Sequence, residues 1–98
     1  MKNSAIVILE VKAKEDKVTE LEQLLLKNLP KTRTYKGFIS IKIHKNVNDS
    51  TFVFYEEWET FSDYEAYLKW RTDTGLMELL GETFASPPTI RYWETLNV

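Results

Sequence analysis

Phe54, Glu56 and Trp58 alternate within the stretch FVFYEEWETFSDYEAY, residues 52–67. On a strand these three side chains point the same way, because strand side chains repeat with a period of two. Tyr64 and Tyr67 lie three apart and share one face of a following helix. If that face packs on the sheet, one carboxylate sits among four aromatic rings. A carboxyl desolvated in apolar surroundings has a raised pKa and serves as a proton acceptor near neutral pH. Tyr hydroxyls and the Trp indole N–H supply donors for an anionic oxygen. Glu56 is therefore the candidate catalytic base, and Trp58, Tyr64, Tyr67 and Phe54 are the candidate substrate-binding residues. The same pattern also fits a plain aromatic core, with Glu56 paired to an Arg or reaching solvent at the sheet edge.

Other chemistries lack their residues. The 98 residues contain no Cys and one His, which removes disulfides, thiolate catalysis, Cys-based zinc sites and multi-His metal centres. Gly37, Gly75 and Gly81 are isolated, so no phosphate-cradling loop or dinucleotide fingerprint forms. Residues 46–49 (NVND) carry oxygen ligands without the distal Glu of a calcium loop and read as a turn. Ser40 and His44 share a strand face about 13 Å apart, beyond general-base reach. No metal and no cofactor are expected. Thirteen Lys+Arg against 15 Asp+Glu give a net charge of -2, which argues against nucleic acid as a partner. The apolar run of residues 5–9 is too short for a signal-peptide core or a membrane span of about 20 residues. A single domain over residues 1–98, in the cytoplasm and without membrane contact, is the expectation.

The elements that must position these side chains follow from periodicity. Residues 5–13 (AIVILEVKA) are β-branched and then alternating, a strand. Residues 15–29 place Val18, Leu21, Leu25 and Leu29 on one helical face, and Pro30 is expected to end that helix. Residues 38–45 form a strand with Ile39, Ile41 and Ile43 on one face; a turn at 46–50 closes a hairpin onto residues 51–58. Ser62 and Glu65 read as a capping box for a second helix carrying Tyr64, Tyr67 and Leu68. A short helix is expected over 76–84, and a last strand over 89–96 after Pro87-Pro88. The order strand, helix, strand, strand, helix, short helix, strand is α+β: a ferredoxin-like four-stranded antiparallel sheet with helices on one face.

The strands carry large apolar groups on both faces, and the helices cover only one. The other face would expose Ile6, Ile8, Phe38, Val53 and Tyr55. Burial of each is worth about 1.5–3 kcal/mol, and a patch of that size marks an interface. Two copies packed sheet to sheet, a homodimer forming a dimeric α+β barrel, would cover it. A monomer shielded by fourth-strand aromatics and Lys side chains is the alternative.

The strand-to-helix stretch YEEWETFSDYEAYL, residues 55–68, and the closing PPTIRYWETL, residues 87–96, resemble the antibiotic biosynthesis monooxygenase (ABM) domains. The similarity runs over residues 5–96. It implies a ferredoxin-like domain that dimerises through its sheets. It also implies a cofactor-independent monooxygenase acting on a hydroquinone or polycyclic phenol with dioxygen, its partner being a small aromatic molecule. Trp58 matches the strand-end tryptophan and Tyr64 a pocket tyrosine of the polycyclic-aromatic oxygenases. Their pocket asparagine falls at Phe54 and their helix arginine near Glu78. Those two departures favour the alternative, a non-catalytic small-molecule-binding or interaction module on the same barrel. The haem-degrading relatives' His position falls at Met77, which argues against haem breakdown. No role follows for His44.

Overall fold

The computed structural model describes residues 4–98. Its elements run β1 (Ala5–Lys12), a 3-10 turn (Glu15–Lys17), α1 (Val18–Thr32), β2 (Phe38–Lys45), β3 (Thr51–Trp58), α2 (Phe61–Asp73), α3 (Leu76–Gly81) and β4 (Thr89–Glu94). The four strands form one antiparallel sheet in the order β2-β3-β1-β4. This is the ferredoxin-like α+β architecture that the element order predicts.

Register decides which side chains meet the helices. Leu9 lies between Phe54 and Ile90, and Val7 between Glu56 and Tyr92. Directly paired residues point to one face, so this row faces α1 and α2. The buried side chains divide into two clusters. Leu9, Val11, Leu21, Phe52, Phe54, Leu80 and Phe84 form one, and Ala5, Val7, Trp58 and Tyr64 form the other. Glu56 stands on β3 between them, one strand repeat from Phe54 and one from Trp58.

Local details depart from the sequence expectations. The first helix runs through Pro30 to Thr32. Pro30 sits near its C-terminus, where the donor it lacks would have served the Leu26 carbonyl on an exposed turn, so the break in the helix ladder costs little. The second helix is capped by Thr60, whose side chain accepts from the Asp63 amide at 3.0 Å, and Ser62 already lies inside the first turn. The third helix ends at Gly81, because Phe84 leaves it to bridge Ala13, and β4 ends at Glu94.

A register shift between Phe38 and Ser40 leaves Ile39 unpaired. The extra residue reverses the facing of what precedes it. Phe38 therefore joins Trp58 on the helix side, with Ile41 and Ile43, and Ile39 is 45% exposed. Phe38 is thus removed from the expected reverse-face patch. Ile8, Val53 and Tyr55 remain there with Trp93, beside Lys42, His44, Glu10 and Arg91; Ile6 shares that face but is only 6% exposed, so it adds nothing to the exposed patch.

The cap assignment has a direct test. Thr60→Ala is expected to lower stability by about 1 kcal/mol in urea unfolding, as loss of an N-cap does. Ser62→Ala should change it by less than about 0.5 kcal/mol.

Candidate active site

Glu56 reaches the helix-covered side of the sheet because β3 alternates strictly there, burying Phe52, Phe54, Glu56 and Trp58 in turn. It is only 4% exposed. The Trp58 indole Nε1 donates to Glu56 Oε1 at 3.0 Å, and no cation lies within ion-pair distance among the described residues. Burial pushes the carboxyl from 4.5 up to about 7, and the indole hydrogen bond pulls it part of the way back. A carboxylate so placed is about half ionised at neutral pH and able to take a proton.

A cavity of about 50 Å³ adjoins Glu56. Phe54, Tyr64 and Tyr67 line it on the aromatic side, and Leu24, Leu25, Leu76 and Met77 close it from the helices. That volume holds a few waters, each needing about 10–15 Å³. The Tyr64 side chain is buried and its hydroxyl makes no hydrogen bond among the described residues. Burial, with the nearby Glu56 charge adding to it, pushes this phenol well above its ordinary range, so it stays protonated as a donor.

Trp58 is placed differently from the other expected residues. It is fully buried and contributes nothing to the cavity wall. Its ring packs edge-on against Phe38 at 5.4 Å and Tyr64 at 5.8 Å, and tilted against Tyr67 at 5.1 Å. Its contribution here is to hold Glu56 from behind, while Phe54, Glu56, Tyr64 and Tyr67 meet at the cavity. Glu78, near the expected helix-arginine position, is exposed, and His44 lies on the reverse face.

Three residues beside the cavity escaped the sequence reading. Arg71 donates from Nε to the Tyr67 hydroxyl at 3.0 Å, and from Nη2 to Thr32 Oγ1 at 3.0 Å and to the Asn28 carbonyl at 2.7 Å. The Thr32 and Tyr67 hydroxyls are 2.7 Å apart. The i, i+4 spacing of Tyr67 and Arg71 was the available signal; the partners on α1 required the fold. Among the described residues no group of three or more His, Cys, Asp or Glu is arranged to hold a metal ion, and no helix is long and apolar enough to cross a membrane.

The antibiotic biosynthesis monooxygenase family model matches residues 4–72. The chain belongs to that family. Among solved structures, a conserved protein of Methanosarcina mazei superposes with a TM-score of 0.85 at 18% identity, covering 94% of this chain and 92% of its own. An antibiotic biosynthesis monooxygenase superposes at 0.84 with 19% identity, covering 94% and 98%. A Streptomyces coelicolor monooxygenase solved with the ligand nanaomycin D superposes at 0.81 with 17% identity, covering 99% and 91%. At such identities the likeness shows the family's fold. No curated protein sequence matches the chain significantly.

The raised Glu56 pKa has a consequence for stability. The native state holds this proton up to about pH 7, whereas the unfolded chain releases it near pH 4.5. The stability linked to the bound proton is full below about pH 4.5 and lost as pH rises through about 7. The isosteric Glu56→Gln should therefore be more stable than the parent at pH 8 by up to about 3 kcal/mol, and this gain should shrink toward pH 5 in parallel urea titrations.

Proposed function

We propose that this family member oxidises a hydroquinone or related electron-rich phenol with dioxygen, without a metal or organic cofactor. The observation that carries the proposal is a buried carboxylate with a pKa near 7 beside a buried, unpartnered tyrosine hydroxyl, both on one cavity. Ionised Glu56 takes the substrate's phenolic proton. The electron-rich phenolate passes an electron to dioxygen, and the resulting pair combines as a carbon-bound peroxide that loses water. The sum is hydroquinone plus dioxygen giving hydroxyquinone plus water: one oxygen atom enters the ring, the other leaves as water, and the substrate supplies the four electrons. The Tyr64 hydroxyl donates to the developing oxyanion, and the surrounding apolar side chains exclude water.

The cavity is smaller than the roughly 300–1,000 Å³ of a pocket that holds a drug-sized ligand. An aromatic substrate must therefore displace the helix-side wall. Leu24, Leu25, Leu76 and Met77 are each only partly buried, and a Met side chain adapts readily. The small volume also favours a second reading, a binding module on the same scaffold. Ligand-induced stabilisation without oxygen uptake would identify that one.

The proposal extends to a homodimer. Val53, Tyr55, Ile8 and Trp93 support it, forming an apolar centre on the face opposite the helices with Tyr55 and Trp93 more than two-fifths exposed. The expected mass by light scattering is twice the 11.6 kDa of the chain; a monomer at micromolar concentration would refute the dimer.

Enzyme-dependent oxygen uptake is expected with at least one member of a hydroquinone panel. Its kcat/KM should rise with pH through an inflection near 7, and Glu56→Gln should lower it by about 10²-fold or more. Uptake equal to buffer across the panel would contradict the oxygenase proposal.

A further inference from the structure

Arg71 is a charged side chain only 4% exposed, yet no carboxylate among the described residues pairs with it. Taking a guanidinium out of water without a counter-ion is costly, and neutral acceptors offset only part of that cost. Three of its five N–H groups are used, one from Nε and two from Nη2. Neither proton on Nη1 has an acceptor among the described residues.

Arg71 lines a groove of about 290 Å³ between α1 and the α2–α3 corner. Lys27 and Lys31 line it too, and no acidic side chain among the described residues does. Three cations and no anion make a local positive field, with the Trp70 ring forming an apolar wall whose face carries the Arg71 guanidinium at 4.4 Å. The groove shares Leu24, Asn28 and Leu76 with the lining of the Glu56 cavity, so the two spaces adjoin.

We infer that the groove binds a carboxylate carried by the aromatic ligand, with Arg71 Nη1 as its anchor and Lys27 and Lys31 as flanking charges. A planar guanidinium matches a carboxylate better than any neutral group does. An aromatic acid is thereby the substrate class: the acid group sits against Arg71 while the ring enters toward Glu56. Placement of the ring rests on the function proposed above; capture of the carboxylate does not.

The probes are 2-naphthoate and its neutral counterpart 2-naphthamide, titrated against the intact protein by calorimetry, with Trp fluorescence as a local signal from Trp70. Naphthoate should bind at least about tenfold more tightly. Arg71→Gln should erase that preference. Lys27→Gln/Lys31→Gln alters exposed positions that leave folding intact, and should weaken naphthoate several-fold without changing naphthamide. Equal binding of the two probes, no binding of either, or a preference untouched by the double Lys substitution would overturn the inference. So would inorganic phosphate displacing naphthoate at equal concentration, which would mark a general oxyanion site. A naphthoate preference without oxygen uptake from any hydroquinone would sink the oxygenase proposal and leave the anion site standing. Uptake without the preference would do the reverse.

Discussion

A carboxylate buried without a cation is the constraint on which the rest of the site depends. Glu56 occupies a strand position where a hydrophobic residue would pack, between the Phe54 cluster and the Trp58 cluster. Its one side-chain donor among the described residues is a neutral indole. An Arg in its place would hold the carboxyl down in the ordinary acid range, as an opposite charge does. The chain has a buried Arg on the neighbouring helix, but it binds Tyr67, Thr32 and a backbone carbonyl instead. Two buried charges of opposite sign thus remain apart, a costly arrangement for stability alone and a useful one for proton transfer.

The aromatic side chains make that arrangement rigid. Trp58 meets Tyr35, Phe38, Tyr64 and Tyr67, mostly edge to face, the geometry that ring quadrupoles favour. Tyr92 of β4 donates to Glu65 and stacks on Phe61, fixing the start of α2 against the far strand. With α2 held at both ends, by Tyr92 near its N-terminus and near its C-terminus by the hydrogen bonds of Arg71 to Asn28 and Thr32 of α1, Tyr64 and Tyr67 are presented to the cavity at fixed height. The wall opposite is aliphatic and partly exposed, so the polar half of the cavity is firm and the apolar half is the side able to yield.

Much of this was legible in the sequence, for a physical reason. Period two in β3 and a three-residue spacing in α2 each specify a face, and the element order specifies which faces meet. The pattern therefore places Phe54, Glu56, Tyr64 and Tyr67 together. The misreadings share a cause. The bulge at Ile39 inserts a residue that alternation does not foresee, the nearest Gly being Gly37 before the strand, so Phe38 turns to the helix side. Thr60 and Ser62 are both good cap residues, and only the backbone, extended at Thr60, selects between them. Trp58 reads as a pocket residue from its type, but its ring lies behind the carboxylate. Arg71 carries no signal of its burial in the sequence because its acceptors, Thr32 and Asn28, come from a helix 39 and 43 positions away.

The most direct measurement is the ionisation of Glu56 itself, followed by carbon NMR of its side-chain carboxyl in glutamate-labelled protein and assigned by its loss in Glu56→Gln. A titration midpoint near 7 is the expected result. A midpoint near 4.5 would mean that the carboxyl is solvated or paired, and would contradict both the buried site and the proton transfer built on it.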